Sequence, residues 1–378
     1  MRPVARVVIG LALLGYRSSA MSTLHTPLTF RSGLTIANRT VLAPMTNLQS
    51  HADGTLSAAE LSWLRRRATG GFGLIETCAA YVSTDGKSWP GELGIHSDEM
   101  LAGLTQLASE LKTAGAPALV QIFHGGARAA QDLAGHPWSA SENDADAAKP
   151  RAATEDDIHN TIRAFAAAAV RAKKAGFAGV EIHGAHGYLP CQFLSRVQNT
   201  RTDGYGGSYD GRARFLREIT RAVRAAVGSD FTVGVRVSLE DFGQSVGMDL
   251  DEGLTLATEL VQDGAEFIHA SLWDCSRMTA KRPESHAITL LRAALPADVR
   301  ILVAGKIWSR ADADKMLALG ADAVALGRAA IAYPEWPQHA TADDYAPAGP
   351  PFTADQLVAA DLSPAFVDYM KRWKGFVA

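Results

Sequence analysis

Two imidazoles and a phenol follow one short apolar run of the chain. The run covers residues 179–182, and His183, His186 and Tyr188 come directly after it. Apolar runs of this length are typical of buried parallel strands. Proton-handling side chains where such a strand ends are typical of the rim of an active site. This segment is therefore the first candidate for catalytic chemistry.

The spacing of His183 and His186 fits two kinds of chemistry. The pair would ligate a metal in a metal-dependent barrel hydrolase, but zinc sites need three or four protein ligands, and His124 and scattered acids are the remaining candidates. Alternatively, two N–H groups bind a substrate oxygen and stabilise negative charge that develops there. Tyr188 would then supply a proton as a general acid. The second interpretation requires no metal.

The elements that must position these groups alternate along the chain. β-rich runs from residue 40 onward are separated by amphipathic segments, of which one begins at Thr154 with Asp157 three residues later and an apolar stripe behind them. The β-rich runs cover residues 40–43, 73–76, 118–123, 179–183, 231–237, 267–270, 301–304 and 323–326. Repeated strand–helix units of this number predict an α/β protein, a single (β/α)8 TIM barrel.

A doubly wound sheet is the rival architecture. That fold usually carries a Gly-x-Gly-x-x-Gly turn after its first strand, whereas this chain has Pro44, Met45 and Thr46 there. The barrel is therefore favoured. We expect an N-terminal hairpin around Ser32 and Gly33 to cap the barrel bottom.

The predicted domain organisation is simple. A barrel over residues 21–345 carries loop insertions at residues 134–153 and 337–352, and residues 346–378 form a C-terminal helical tail. Residues 1–20 stand apart, because arginines precede an apolar stretch that ends in small residues, as in a signal peptide. A start assigned too early is the favoured interpretation of this segment, and a weak signal is the alternative.

Composition excludes several classes of protein. The chain has 378 residues, 47% of them hydrophobic, and a formal net charge of −3. This gives no basic excess for nucleic acid, and no apolar run approaches the roughly 20 residues that span a bilayer. The chain has 3 cysteines without disulfide or metal-site spacing, which indicates a reducing compartment. We expect a cytoplasmic protein, with a homo-oligomer possible.

Small residues near the end of the barrel predict a phosphate site. Gly305 follows the seventh β-rich run, and Gly327 and Arg328 follow the eighth. Loops at these positions commonly bind phosphate in such barrels, and a guanidinium adds a bidentate contact. Lys306 leaves a Schiff-base lysine of an aldolase open as an alternative.

Several motifs occur together, in a fixed order. They are Asn38-Arg39 to Ala43-Pro44-Met45-Thr46, Gln121-Ile-Phe-His124, His183-Gly-Ala-His186-Gly-Tyr188-Leu, Asn199-Thr-Arg201-Thr-Asp203-Gly-Tyr205-Gly-Gly207-Ser, Arg214-Phe-Leu, Val235-Arg236-Val-Ser238 and Gly327-Arg328. With this order and spacing, the chain resembles the old yellow enzyme family of flavin-dependent ene-reductases from about Leu28 to about Pro337.

The resemblance implies FMN at the mouth of the barrel and NAD(P)H as the reductant. Its expected cofactor-binding residues are Gln121 and Arg236 at the polar edge of the isoalloxazine ring, Thr46 near O4, Pro44, Met45 and Thr77 along the ring, and Gly305, Gly327 and Arg328 at the phosphate.

The resemblance also implies an NAD(P)H-dependent flavin oxidoreductase that reduces the C=C bond of an α,β-unsaturated carbonyl compound or a similarly activated alkene. His183 and His186 would grip the carbonyl oxygen of this small-molecule substrate. Hydride would pass from the flavin N5 to the β-carbon, and Tyr188 would protonate the α-carbon. Trp273 would narrow the substrate pocket.

Some positions depart from the family's pattern. Thr46 stands where the bacterial subclass with two histidines usually has cysteine. An extra residue between His124 and Arg128 is expected to redirect Arg128. The tail segment from Tyr369 to Trp373 would reach the site of a neighbouring subunit, as related tails do.

Two further classes remain open at this point. Carboxylates at predicted strand ends, Glu76 and Glu181, leave a barrel glycosidase open, although Glu181 and His183 would face the same side of their strand. A flavin-storing protein without enzymatic activity is the other class, and the two histidines with Tyr188 argue against it.

Overall fold

The structure, a computed structural model, describes residues 23–143 and 148–378. Eight parallel strands form a closed barrel, because the first strand pairs with both the second and the eighth. A helix follows each strand along the chain. The predicted TIM barrel is thereby confirmed, whereas the expectation for residues 1–20 lies outside the described residues.

The strand bounds agree closely with the apolar runs. The barrel strands are β1 (Thr40–Leu42), β2 (Leu74–Tyr81), β3 (Ala118–Phe123), β4 (Gly179–Gly184), β5 (Thr232–Val237), β6 (Phe267–Ser271), β7 (Arg300–Ala304) and β8 (Ala323–Leu326). The exception is β2, which was expected to end at Glu76. A short parallel strand, Leu93–Gly94, extends the sheet beside β2.

The helices pack around the outside of the barrel. Those that follow the barrel strands are α1 (Ala58–Thr69), α2 (Leu101–Thr113), α3 (Glu155–Ala175), α4 (Tyr209–Val227), α5 (Leu250–Gln262), α6 (Ala287–Ala294), α7 (Arg310–Ala318) and α8 (Arg328–Ala332). Shorter helices are Gln131–Ala134, Leu189–Leu194, Trp336–His339, Ala354–Ala359 and Pro364–Met370. No helix in the described ranges is long and apolar enough to cross a membrane.

Alternation along the strands separates two apolar layers. In β8, Val324 and Leu326 pack in the large core with the helices, whereas Ala323 and Ala325 belong to a smaller cluster inside the barrel. Successive strand residues point to opposite faces, so one set must face inward. The inward set is what shapes the floor of any site at the barrel mouth.

The lower half of the barrel is filled by apolar side chains. Leu74, Leu119 and Phe267 pack there with Leu28 and Phe30, and we call these five residues the apolar plug. The last two come from an N-terminal hairpin of Leu28–Thr29 and Thr35–Ile36. The predicted hairpin cap is thus present, and it closes the end of the barrel opposite the cavity.

The C-terminal segment packs on the barrel wall. Its two short helices follow residue 353, and the ring of Phe366 lies 5.4 Å from that of Trp63 in α1, edge to face. Aromatic pairs in this arrangement typically add about 0.5–1.5 kcal/mol beyond their buried area. The contact holds the tail near the barrel mouth.

Candidate active site

A cavity of about 490 Å³ lies at the carboxyl ends of the barrel strands. Its volume is in the range of about 300–1,000 Å³ typical of ligand pockets. Of the residues predicted for the site, those that line the cavity are Pro44, Met45, Thr46, Gln121, His183, His186, Tyr188, Arg236, Trp273, Gly305, Gly327 and Arg328. The fold therefore brings nearly the whole predicted set together.

Thr77 is the exception, and its predicted place along the ring needs correction. It is fully buried, and its Oγ1 donates a hydrogen bond to the carbonyl oxygen of Cys78 (2.8 Å). The pairing of β2 with β3 shifts register between Glu76 and Ala79, and β2 continues to Tyr81. Because the strand runs further than expected, Ala79 lines the cavity in place of Thr77.

His183, His186 and Tyr188 form one ring cluster at the cavity wall. The ring centroids of His183 and His186 lie 4.9 Å apart, and those of His183 and Tyr188 lie 5.1 Å apart. His186 has a φ of 62°, in the left-handed region, and Gly187 follows with 70°. A non-glycine residue there is uncommon and tends to mark a functional site. This turn brings Tyr188 back onto the ring of His183.

The imidazole of His183 is neutral, and its proton position follows from one hydrogen bond. Its Nδ1 accepts a hydrogen bond from the backbone N–H of Ala185 (3.2 Å). Burial, followed by the charge of Arg236, lowers the pKa of His183 well below its ordinary value. A neutral imidazole carries one proton, so this proton is on Nε2. His183 therefore offers one N–H donor.

His186 is linked to Arg236 through Ser271. The Nε2 of His186 lies 2.6 Å from the Oγ of Ser271, and Nη2 of Arg236 donates to the same oxygen (3.2 Å). Because Arg236 can only donate, the Ser271 hydroxyl is free to donate to His186 Nε2. Burial and Arg236 lower the pKa of His186 well below its ordinary value. With the Ser271 hydroxyl donating to Nε2, the proton of the neutral ring would be on Nδ1.

Ser271 had no role assigned from the sequence, but it joins two residues of the predicted site, His186 and Arg236. It is the last residue of β6, two positions before Trp273 in the chain. Its position at an inward-facing strand end was the available signal. Its link to His186 depends on the pairing of β5 with β6, which places Arg236 opposite His269.

Tyr188 keeps its proton over a wide pH range. Burial raises the pKa of its phenol to about 12. Phe123 packs edge to face against the ring, with 4.5 Å between centroids. A phenol that is neutral and fixed in place is a candidate general acid.

Arg128 lines the cavity, so the expectation that the inserted residue redirects it is wrong. A short 3-10 helix, Gly126–Arg128, accommodates the insertion, and Gly126 has a φ of 61°. The guanidinium lies 4.1 Å from the centroid of the Tyr188 ring. Arg128 therefore belongs to the wall that holds the ring cluster.

The cavity floor is polar. Nε2 of Gln121 donates a hydrogen bond to Oε1 of Glu181 beneath it (2.6 Å). Arg236 is buried, and its Nε has no hydrogen-bond partner among the described residues. Burial lowers the pKa of Arg236, and the carboxylates of Glu181 and Glu76 oppose this shift. An unpaired buried donor costs about 1–3 kcal/mol, so the floor is suited to an acceptor-rich ligand.

The opposite end of the cavity carries the small residues and cations. A side chain at Gly305 would place its Cβ 2.4 Å from the carbonyl oxygen of Leu272, so only glycine fits there. Nζ of Lys306 pairs with Oδ2 of Asp274 (2.8 Å), and its side chain is 43% exposed. A Schiff-base lysine needs a desolvated amine or a neighbouring cation. The aldolase interpretation is therefore not favoured.

The hydrolase interpretations are not favoured either. Among the described residues, one group of metal-binding types is closely spaced, namely Glu76, Glu181 and His269, and it does not include the histidines of the ring cluster. Both carboxylates are fully buried inside the barrel and do not line the cavity. A glycosidase needs its two carboxyl groups on either side of a bound sugar.

Aromatic side chains form the outer walls. Trp273 is 50% exposed, and its ring centroid lies 6.1 Å from that of Phe242. Tyr369 and Trp373 of the C-terminal segment line the cavity of their own chain. The packing of Phe366 on α1 holds the segment there, and its expected contact with a neighbouring subunit stays a prediction.

Comparisons with known proteins find relatives of this chain among flavin oxidoreductases. Residues 23–345 match the model of the NADH:flavin oxidoreductase / NADH oxidase family. The chain is 38% identical over 325 residues to a probable NADH-dependent flavin oxidoreductase, YqiG, of Bacillus subtilis, covering 83% of this chain and 86% of that protein. It is 36% identical over 317 residues to an NADPH dehydrogenase of Halalkalibacterium halodurans, covering 82% and 91%.

Longer proteins also contain a similar region. The chain is 34% identical over 324 residues to an NADH:fumarate oxidoreductase of Klebsiella pneumoniae, covering 82% of this chain and 35% of that protein. A solved structure of 2-naphthoyl-CoA reductase in complex with 2-naphthoyl-CoA aligns with a TM-score of 0.76 and 26% identity, covering 84% of this chain and 52% of the other.

The match over residues 23–345 spans the entire barrel described above. The relatives are oxidoreductases that use NADH or NADPH, and the family binds FMN. The chain therefore belongs to the NADH:flavin oxidoreductase / NADH oxidase family, the old yellow enzyme family, and is an FMN-binding oxidoreductase.

Proposed function

We propose that the protein takes hydride from NAD(P)H and reduces the C=C bond of an α,β-unsaturated carbonyl compound or a similarly activated alkene. One observation carries this proposal. Two neutral imidazoles and a neutral phenol lie together on the wall of a cavity whose floor and far end fit FMN.

The fit to FMN is supported at both ends of the cavity. On the floor, the unpaired Nε of Arg236 suits the acceptor-rich edge of an isoalloxazine ring. At the far end, a Cβ at Gly327 would lie 3.5 Å from Sδ of Met45, an ordinary contact distance, so the space beside this glycine is open. Arg328 follows at the start of α8 and suits a phosphate. When bound, FMN supplies the hydride-transfer chemistry.

We assign the cofactor-holding roles as follows. The ring edge is bound by Gln121 and Arg236, the region near O4 by Thr46, the ring by Pro44 and Met45 with Ala79 in place of Thr77, and the phosphate by Gly305, Gly327 and Arg328. All of these residues line the cavity.

His183 and His186 bind the substrate oxygen in this proposal. Each neutral ring offers one N–H, and two donors aimed at a carbonyl oxygen withdraw electron density from the β-carbon. In this proposal the Ser271 hydroxyl accepts from Arg236 and donates to Nε2 of His186, which places the imidazole proton on Nδ1. Fixed donors of this kind need little reorganisation during the reaction, which is why they favour the transition state.

Tyr188 supplies the proton that completes the reduction. Its pKa of about 12 keeps the phenol protonated at neutral pH. It lies beside His183, so an α-carbon next to the bound carbonyl is within its neighbourhood. Phe123 and Arg128 hold the ring on two sides.

The aromatic walls indicate the class of substrate. Trp273, Phe242, Tyr369 and Trp373 border the cavity and favour a flat, largely apolar body. Trp273 is the wall residue that we assign to substrate binding, because it follows the strand that carries Ser271.

The test of the proposal uses the purified protein and its visible spectrum. We expect a yellow protein that bleaches with NAD(P)H under anaerobic conditions and regains its colour when cyclohexenone is added. Cyclohexanone is the control, because it has the carbonyl group without the C=C bond. A colour that returns equally with both compounds, or with neither, contradicts alkene reduction while leaving the family assignment intact.

A further inference from the structure

Three ionisable side chains lie inside the barrel directly beneath the cavity floor. They are Glu76 on β2, Glu181 on β4 and His269 on β6, and we call them the buried cluster. Nδ1 of His269 is 2.6 Å from Oε2 of Glu181 and 3.5 Å from Oε2 of Glu76. All three are fully buried. The mechanism proposed above uses none of them.

The cluster occupies a layer that is normally apolar. In TIM barrels, alternate strands contribute the side chains of one interior layer, and bulky aliphatic residues dominate. Leu74 and Phe267 precede Glu76 and His269 by two positions, on the same faces of β2 and β6, and belong to the apolar plug. Ionisable groups therefore replace aliphatic ones in the layer between the plug and the cavity.

The cluster contacts residues of the cavity floor, whereas apolar side chains separate it from the opposite end of the barrel. The apolar plug and the hairpin lie below it. Above it, Gln121 is hydrogen bonded to Glu181, and Arg236 lies close enough for both carboxylates to affect its pKa. Gln121 and Arg236 both line the cavity. A proton that enters or leaves the cluster must therefore pass the cavity floor.

The two carboxyl groups differ in their partners. Glu181 is hydrogen bonded to Gln121 and to His269. Both oxygens of Glu76 and Nε2 of His269 have no hydrogen-bond partner among the described residues. A buried carboxylate without donors is expensive and tends to take a proton. The charge therefore resides on Glu181, and Glu76 is the group that is free to change protonation.

The electrostatic environment supports this division. Burial, followed by the charge of Glu181, raises the pKa of Glu76 to about 7. The pKa of Glu181 is lowered, because His269 and Arg236 outweigh its burial. The pKa of His269 is raised, because Glu181 outweighs its burial. The charged groups that face Glu76 are thus Glu181, Arg236 and His269, from β4, β5 and β6.

We propose that Glu76 is a proton store, which takes up a proton from water when reduction of the cofactor places negative charge beside Arg236 and releases it on reoxidation. This rests on the placement of FMN against Arg236 in the proposed function. Hydride from NAD(P)H carries two electrons and one proton and adds one negative charge to the ring. The extra proton forms an O–H bond on Glu76 and offsets that charge.

The direction of the effect follows from Coulomb's law. Added negative charge near a carboxyl group disfavours its ionised form, and the effect is stronger where water is excluded. Glu181 stays ionised because it keeps its hydrogen bonds to Gln121 and His269 and lies near the Arg236 guanidinium. Below the pKa of Glu76 the proton is already bound, so uptake on reduction occurs above about pH 7.

The pH dependence of the FMN midpoint potential tests this proposal. Each proton taken up per two electrons lowers the potential by about 30 mV per pH unit. For the native protein we expect about 30 mV per unit well below pH 7, and a slope approaching about 60 mV per unit above it. Glu76→Gln should keep about 30 mV per unit throughout. An unchanged native slope in Glu76→Gln overturns the proposal.

Glu60→Gln is the matched control. Glu60 is another fully buried glutamate whose pKa is raised by burial, but its oxygens accept hydrogen bonds from Asn47 and Ser50 and share none with the cluster. Its substitution should leave the slope native. If both variants lack the steeper slope above pH 7, the loss does not depend on which buried glutamate is replaced. That result would overturn the specific role of Glu76.

A second measurement needs no variant. The infrared difference spectrum between oxidised and reduced native protein, recorded above pH 7, should gain a protonated-carboxyl C=O band on reduction. The absence of such a band overturns the proposal even when Glu76→Gln does not fold. Both measurements use dithionite and bound FMN without an alkene. A failure of alkene reduction in the cyclohexenone test is therefore distinguished from a failure of proton uptake.

Discussion

Nη1 of Arg128 donates a hydrogen bond to the carbonyl oxygen of His186 across 2.7 Å. The same guanidinium lies over the ring of Tyr188. One side chain thus holds both the left-handed residue of the ring cluster and the proposed proton donor. The extra residue between His124 and Arg128, which looked like a defect in the motif, gives Arg128 this position.

Replacing Arg128 with leucine should slow oxidation of the reduced enzyme by an enone by about tenfold, because a hydrogen bond worth about 0.5–1.5 kcal/mol and the support of the phenol are lost. Anaerobic stopped-flow absorbance measures this rate. Arg128→Lys should recover little of it, since an ammonium lacks the planar stacking surface. A native oxidation rate in Arg128→Lys would show that the positive charge at this position is sufficient and that the planar guanidinium is not required.

Replacing Tyr188 with phenylalanine should slow the same half-reaction by about 10²–10⁴, the range typical of general acid catalysis. The ring packing against Phe123 is kept, so the free energy of unfolding should change little. Flavin reduction by NAD(P)H should stay near the native rate. Stopped-flow measurement of both half-reactions separates these effects, and a native oxidation rate would exclude Tyr188 as the donor.

In Glu76→Gln, which removes the proposed proton store, the oxidative half-reaction should be insensitive to pH from about 6.5 to about 10, because His183, His186 and Tyr188 do not titrate there. The pKa values of His183 and His186 lie well below the ordinary value, so acid protonates them only at lower pH. The pKa of Tyr188 is about 12, so base removes its proton only near that pH. Stopped-flow measurement of the oxidation rate checks this. A rate that falls to half as the pH is lowered to about 6.5 would contradict the assignment of neutral imidazoles.

The N-terminus of α3 provides a test of the fold itself. Oγ1 of Thr154 accepts from the backbone N–H of Asp157, whose carboxylate in turn accepts from the backbone N–H of Thr154. Thr154→Ala should lower the free energy of unfolding by about 1 kcal/mol, within the usual range of about 0.5–2. Urea denaturation measures this change. Thr154→Ser keeps the acceptor and should remain near native.

The fold was largely predictable because barrel strands that are buried on both faces appear in the sequence as apolar runs. Such runs can be recognised without knowledge of the tertiary structure. The end of β2 was not predictable in the same way. Glu76 and Thr77 interrupt its apolar run, and polar residues usually mark the end of a strand. Here both are buried inside the sheet, and the register shift that carries β2 onward is set by its pairing with β3.

The site was predictable where motif and strand end coincide, as at Gln121, His183 and Arg236. Contacts between distant segments were not. Ser271 joins His186 only after the barrel closes, and Trp373 lines the cavity because the C-terminal segment packs on the barrel, as at Phe366 and Trp63. The same holds for the buried cluster, since its three members come from strands that share no hydrogen bonds with each other.

The central claim is that His183 and His186 activate a carbonyl group rather than hold the cofactor or a metal. Stopped-flow measurement of both half-reactions in His183→Ala tests it most directly. We predict that FMN stays bound and that reduction by NAD(P)H is largely unchanged, while oxidation by cyclohexenone slows by about 10²–10³, the usual cost of losing one such donor. An oxidation rate equal to that of the native enzyme would contradict the claim.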